Sequence, residues 1–200
     1  MLFVEGGGDN NHALATACRK GFRKFLEKTG SFTGRMPRIV ACGGRGQAYK
    51  RFCSAFREAQ PCDSVVLLVD SEAPVSQTSS WKHVAQRQGD GWQQPGNATD
   101  EQLHLMIECM ESWFLADPHA LEEFFGQGFQ RSALPPGTSL ESVQKQGVYD
   151  ALKQATRNTQ GGPYGKGKHS FALLARVDPN KVRAAAPSAD RLLNHLDEVL

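Results

Sequence analysis

The run Val65-Val66-Leu67-Leu68-Val69 constrains the fold more than any other stretch of the chain. It is aliphatic throughout, with no polar alternation. A strand of that kind is covered on both faces, as in a parallel sheet. It runs into Asp70-Ser71-Glu72-Ala73-Pro74, so a buried strand delivers two carboxylates to its carboxyl tip. Two explanations stand open at this point: the acids cap a loop, or they hold a cation.

Upstream, Leu2-Phe3-Val4 is a second apolar run, broken by Glu5-Gly6-Gly7-Gly8. Asp9 or Asn10 is placed to cap a helix. In that helix Ala13, Leu14, Ala17, Cys18, Gly21, Phe22, Phe25 and Leu26 recur at helical spacing, and Gly30 fits its end. Residues 38–42 read as a strand, Gly43-Gly44-Arg45-Gly46 as a turn, and residues 47–59 as a helix. With residues 65–69 the order is β-α-β-α-β. Residues 73–100, rich in Ser, Gln, Gly and Asn, read as a long surface loop with a short helix at 81–87. Residues 104–109 are a candidate fourth strand and 110–115 a helical stretch. Asp117-Pro118 opens a helix through Phe125. A linker at 131–139, helices at 140–156 and 189–200, and a turn at 169–176 complete the chain.

This alternation predicts an α/β fold: a mainly parallel, Rossmann-like sheet flanked by helices, with a helical C-terminal part. The expected division is an α/β core over residues 1–130 and a helical extension over 131–200 packed on it, as one compact domain. In such sheets sites gather at the carboxyl ends of strands. That rule brings Glu5, the Gly43–Gly46 turn, Asp70, Glu72 and the pair Glu108/Glu111 to one edge.

Charge is balanced in total, at +2, but not in placement. Residues 19–57 hold eleven Lys/Arg and one acid, whereas residues 88–130 hold eight Asp/Glu and no Lys/Arg. The plain reading is two solvated faces. The functional one is a basic surface for phosphate backbones beside an acidic cation site. The five cysteines form no C-x-x-C pair and are expected as reduced, mostly buried thiols. No Cys/His spacing points to zinc. His12, His83, His104, His119 and His195 are scattered, and are expected as surface or helix residues rather than ligands. No apolar run approaches a membrane span, and the start of the chain carries no signal-peptide pattern, so the expectation is a cytoplasmic protein.

A D-x-E at a strand tip aims both carboxylates the same way if the backbone stays extended. Magnesium takes oxygen ligands, commonly one or two carboxylates with water and phosphate. Glu5 on a neighbouring strand is a further ligand or a general acid/base. Gly162 to Lys168 satisfies G-x-x-x-x-G-K, but His169 stands where Ser or Thr is required and no strand precedes it. What remains is a basic loop in which Lys166, Lys168 and His169 can meet a phosphate or stabilise transition-state charge. Arg45, at a helix start, is a second phosphate contact. The G-x-G-x-x-G fingerprint is missing, as is the G-x-S-x-G elbow.

"LFVEGGGD" and "LLVDSE" resemble the Toprim group, the metal-binding fold of primases, topoisomerases and OLD-type nucleases. The pattern there is a Glu after the first strand and a D-x-D at a later strand end; here the second acid is Glu72. "VEGGGD", "VVLLVDSE", "HLMIECMESWFLADP", "GKGKHSFALLARVDPNKVR" and "ADRLLNHL" resemble more closely a Toprim-like bacterial family, domain of unknown function 4276, over nearly the whole chain. That resemblance implies that Glu111 joins the acidic site, with Lys168 and His169 near it. It also implies an ABC-type ATPase partner in phage or plasmid defence.

The leading expectation is a Mg- or Mn-dependent phosphodiesterase, a nuclease of Toprim-like type acting on DNA or RNA. Asp70, Glu72, Glu5 and Glu111 surround the metal; Glu5, Lys168 and His169 serve the chemistry; and Arg45, Lys166 and Lys168 contact phosphate. A non-catalytic partner module of an ATPase is the alternative. A receiver-like domain phosphorylated on Asp70 fits poorly, because such domains need an acidic pair after the first strand and only Glu5 stands there.

Overall fold

The computed structural model describes residues 1–32, 34–136 and 140–200. At its centre lie four parallel strands, β1 (Leu2–Val4), β2 (Ile39–Ala41), β3 (Val66–Asp70) and β4 (Leu103–Met106), in the order β2-β1-β3-β4. Leu2 stands opposite Ile39 on one side and Val66 on the other, and Asp70 stands opposite Met106. Parallel neighbours need crossovers. These are α1 (His12–Glu27), α2 (Arg45–Glu58) and, within the long β3–β4 loop, α3 (Ser80–Gln86).

The missing polar alternation of β3 has a direct cause. Val66 and Leu68 join one apolar cluster with Phe22, Phe25 and Leu26 of α1. Leu67 and Val69 join a second, with Ala48 and Phe52 of α2 and Trp81 and Val84 of α3. Each fully buried Val or Leu contributes about 1.5–3 kcal/mol, so neither face tolerates a polar side chain.

Helix α1 buries Cys18, Gly21, Phe22, Phe25 and Leu26, as the periodicity predicts, but in its first turns Ala13 and Ala17 are exposed and Leu14 is half-buried; Arg19, Lys20, Arg23 and Lys24 are exposed. Its cap differs. Asn11 Oδ1, not Asp9 or Asn10, accepts the Leu14 N–H at 2.9 Å. Asp9 accepts the Gly44 N–H at 3.0 Å instead, at the start of α2, which begins at Arg45 rather than Gln47.

Beyond β4 the chain is helical: a 3-10 segment (Met110–Ala116), then α4 (Pro118–Phe125), α5 (Lys145–Thr156), α6 (Ser170–Leu174), α7 (Pro179–Ala185) and α8 (Pro187–Val199). The helix expected at 140–156 is split into a 3-10 turn (Leu140–Ser142) and α5. The turn expected at 169–176 contains α6. Helix α7 has no counterpart among the expected helices, although Asp178-Pro179 repeats the Asp117-Pro118 start signal. Of the linker expected at 131–139, Arg131–Ala133 is a 3-10 turn and residues 137–139 lie outside the described residues.

The helical part closes over the first face of the sheet. Helix α6 crosses α1 at Gly21, where a Cβ would lie 2.7 Å from the Phe171 carbonyl, so only glycine allows the approach. Helix α8 packs against β4. One apolar cluster therefore runs from Leu2 to Leu196 across both halves of the chain.

Cys18, Cys42 and Cys109 are buried free thiols, as expected, but Cys53 is half-buried and Cys62 exposed. His12, His83, His119 and His195 lie on helices, as expected, with His83 and His195 buried; His104 departs from expectation, wholly buried inside β4. Among the described residues no helix is long and apolar enough to cross a membrane.

Candidate metal centre

The carboxyl ends of β1, β3 and β4 meet at one edge. Glu5 follows β1, and its N–H donates to the Leu68 carbonyl at 3.0 Å. Its Oε2 accepts the Asp70 N–H at 3.2 Å, which fixes the Glu5 side chain over the end of β3. Asp70 ends β3, and its Oδ1 accepts the Met110 N–H at 2.8 Å.

Glu72 reaches the same place by a route the D-x-E spacing does not predict. The backbone does not stay extended: Glu72 has φ +63° and its N–H donates to the Glu108 carbonyl at 3.2 Å. Glu108 also has φ +63°, and its N–H donates to Ser71 Oγ at 2.7 Å. Two glutamates in the left-handed region cost energy that ordinary loops avoid, and such strain concentrates at functional sites. The outcome is a trio. Carboxylate oxygens of Glu5, Asp70 and Glu72 all lie within 4.8 Å of one another, a grouping able to hold a metal ion.

Lys145, at the start of α5, ties this turn together. Its N–H donates to Glu108 Oε2 at 2.9 Å, and its Nζ lies 2.5 Å from Glu72 Oε2 and 3.9 Å from Asp70 Oδ2. Glu108 is thereby spent on the α5 N-terminus. Lys166 Nζ approaches Asp70 Oδ2 at 3.9 Å from the other side and is largely exposed.

Glu111 lines the same cleft but is not one of the trio. It is wholly buried and accepts from three hydroxyls: Tyr149 at 3.0 Å on Oε2, Tyr164 at 3.0 Å and Ser170 at 3.3 Å on Oε1. Burial and the Glu111 charge hold both tyrosines well above the usual phenol range, so they remain donors.

The electrostatics of the edge follow from its composition. Burial, then the charges of Glu5 and Glu111, push the Asp70 carboxyl up to about 8, and Lys166 and Lys145 oppose this only in part. Glu5 is also raised, by burial first and then by Glu72, against the pull of Arg45. Partial loss of solvent works against the Lys166 charge, but the carboxylates of Glu111, Asp70 and Glu5 outweigh it and raise the ammonium. Negative charge is therefore under-compensated here, and a proton or a cation relieves it.

The cleft beside the trio has a volume of about 350 Å³ and is lined by Glu5, Gly6 to Gly8, Gly43, Gly44, Asp70, Glu111, Lys166 and Ser170, among others. Gly7 has φ +91°, and a Cβ there would lie 2.9 Å from the Ala15 backbone. The glycine run thus brings main chain, not side chains, to the rim. Gly8, Asp9 and Gly43 also line an adjoining recess that holds Arg19 and Arg51.

The expected site residues divide accordingly. Glu5, Asp70, Glu72, Glu111 and Lys166 converge. Arg45 is adjacent, 3.5 Å from Glu5 Oε2, but its guanidinium grips Asp90 at 2.6–3.0 Å, donates to the Asp70 carbonyl and stacks on Trp92. It braces the acids. Lys168 Nζ donates to the Gly161 carbonyl at 2.9 Å, and His169 Nδ1 accepts the Gly165 N–H at 3.1 Å among Phe124, Phe125 and Tyr164. Neither is among the residues that line the cleft. Lys145, Tyr149, Tyr164 and Ser170 are the contributors that sequence reasoning missed. Tyr164 and Ser170 flank the Gly-Lys loop that drew attention for its lysines. Lys145 sits in a stretch with no motif.

No curated protein and no solved structure matches the chain. A family model does, across residues 4–197, which takes in Glu5, Asp70, Glu72, Glu111, Lys145 and Lys166. With nearly its whole length matched, the chain belongs to the family described as Domain of unknown function (DUF4276).

Proposed function

We propose that the protein is a divalent-cation-dependent phosphodiesterase acting on nucleic acid, with Glu5, Asp70 and Glu72 as its metal ligands. The observation that carries this reading is the trio itself: three carboxylates from two adjacent strand ends within 4.8 Å. The donor set is all oxygen, which fits Mg²⁺ or Mn²⁺ and disfavours softer metals. The under-compensated charge at Asp70 supports the same choice. When bound, the cation would polarise the phosphodiester and lower the pKa of the attacking water.

The chain's own residues do the rest. Lys166, exposed at the rim beside Asp70, pairs with a non-bridging phosphate oxygen and stabilises charge that grows in the transition state. The glycine rim lets a phosphate backbone approach the acids closely. Arg19 and Arg51 in the adjoining recess give the strand a basic path away from the centre. Arg45 and Lys145 position the acids.

The test is cleavage of end-labelled single- and double-stranded DNA and RNA in Mg²⁺ or Mn²⁺, by wild type, Glu5→Gln and Asp70→Asn. Metal-dependent cleavage lost by at least about 10²-fold in both variants supports the assignment. Full activity in both variants overturns it. No cleavage by wild type, together with tight binding to an ABC-type ATPase, would favour a non-catalytic partner module.

A further inference from the structure

A second group of ligand-type side chains lies away from the acidic trio, at the amino end of β4. Glu101 comes from the 3-10 turn Asp100–Gln102, His104 from β4 and His195 from α8. One ligand atom from each lies within 4.8 Å of the others. The two imidazole rings are 5.3 Å apart between centroids. His195 Nδ1 is already 3.3 Å from Glu101 Oε2. Ligands about 2.0–2.1 Å from a tetrahedral zinc stand about 3.3 Å apart, so this edge has the required spacing.

The second observation is an orphan atom. His104 is wholly buried. Its Nε2 lies 3.1 Å from the Glu101 carbonyl, which can only accept, so Nε2 carries the proton. Nδ1 therefore presents a lone pair, and it is buried with no hydrogen-bond partner. A buried, unpaired acceptor costs about 1–3 kcal/mol. An imidazole whose far nitrogen donates to a carbonyl is the usual arrangement of a metal-ligating histidine. Burial, then Arg191 and His195, hold the His104 imidazolium down to about 3, which leaves the ring neutral. Arg191 is the cation facing the group, but its guanidinium is committed to the carbonyls of Leu103 and Asp100 and to Ser80 Oγ. Glu198 adds a further negative charge near His195. Glu101 is half exposed and free to adjust, and His195 opens onto a recess shared with Gln102 and Cys62.

We propose that Glu101, His104 and His195 form a binding site for a divalent metal of the zinc class, which fastens α8 to the amino end of β4. Two imidazoles and one carboxylate suit Zn²⁺ and Co²⁺, whereas the all-oxygen trio suits Mg²⁺. The two sites therefore differ in metal preference as well as in place.

Titration of the metal-free protein with Co²⁺, read by visible absorption, tests this. Wild type should develop the intense d–d bands of a four-coordinate Co²⁺ at one equivalent, and excess Zn²⁺ should abolish them. His195→Gln, at the edge of the recess, and Glu101→Gln, at a half-exposed position, should lose the bands. Asp70→Asn/Glu72→Gln should keep them, as should Cys62→Ser. Absence of the bands in wild type, or their persistence in His195→Gln, overturns the proposal. So does their loss in Cys62→Ser or in the acidic double variant, because the metal would then sit on other ligands.

Discussion

Lys145 Nζ lies 2.5 Å from Glu72 Oε2, while the same residue's N–H is held by Glu108. One lysine thus joins the helix that follows the long linker to both strand-end glutamates. Its ammonium supplies positive charge where the account puts a metal. Removing it should make the two cations' competition visible. Lys145→Ala is expected to lower the thermal midpoint of the metal-free protein and to tighten Mg²⁺ binding by about tenfold, the 1.4 kcal/mol of one relieved competing charge. Thermal melts and calorimetry check both signs. Weaker Mg²⁺ binding would show that the positioning of the acids by Lys145 outweighs the charge its ammonium places there.

Asp70 gives the pH dependence its sign. Its carboxyl is raised from 3.8 to about 8 in the folded protein. Between those values the folded state binds a proton that the unfolded chain has released. The contribution to stability is therefore fully present below the unfolded value and is lost as pH rises through about 8. Metal-free wild type should melt several degrees lower at pH 9 than at pH 6. Asp70→Asn should flatten that slope and raise stability at the alkaline end. Mg²⁺ competes with the same proton, so wild-type affinity should rise with pH across this range. A melt that climbs from pH 6 to pH 9 would contradict this assignment.

Glu111 is a buried carboxylate satisfied by three hydroxyls. Truncating it leaves the Tyr149 hydroxyl without its acceptor, whereas Tyr164 and Ser170 keep their own contact at 2.8 Å. Glu111→Ala should cost about 1–3 kcal/mol, the penalty for leaving a buried donor unsatisfied. Tyr164→Phe should cost about 1 kcal/mol. Denaturant titration separates the two. Equal, small losses would mean that solvent reaches the cage.

The glycine rim makes a separate claim. Gly7→Ala places a Cβ against the Ala15 backbone at φ +91°. We expect a loss of about 1–3 kcal/mol from the strained conformation. Mg²⁺ binding should weaken with it, because the rim and Glu5 are one loop. Unchanged stability and affinity would show that the loop relaxes freely.

Much of this was legible in the sequence. The unbroken aliphatic run of β3 announced a two-sided parallel sheet, because burial on both faces leaves no position for a polar residue. Glu5, Asp70 and Glu72 could be read from their places at strand ends. The Glu72 turn could not, since its left-handed backbone is set by hydrogen bonds to β4's own end. Lys145 and the tyrosines were hidden for the same reason: they reach the site through packing of α5 and of the segment before α6, which no local spacing encodes. Arg45 looked free beside its glycines. Only the fold brings Asp90 and Trp92 against it. His104 and His195 looked scattered because α8 returns to β4 only in three dimensions.

Calorimetric titration of Mg²⁺ into wild type and Asp70→Asn/Glu72→Gln decides whether the trio is a cation site. Mg²⁺ is chosen because it takes oxygen ligands and leaves the histidine group aside. Wild type should bind saturably and the double variant should not bind. Equal heats from the two proteins would contradict that assignment.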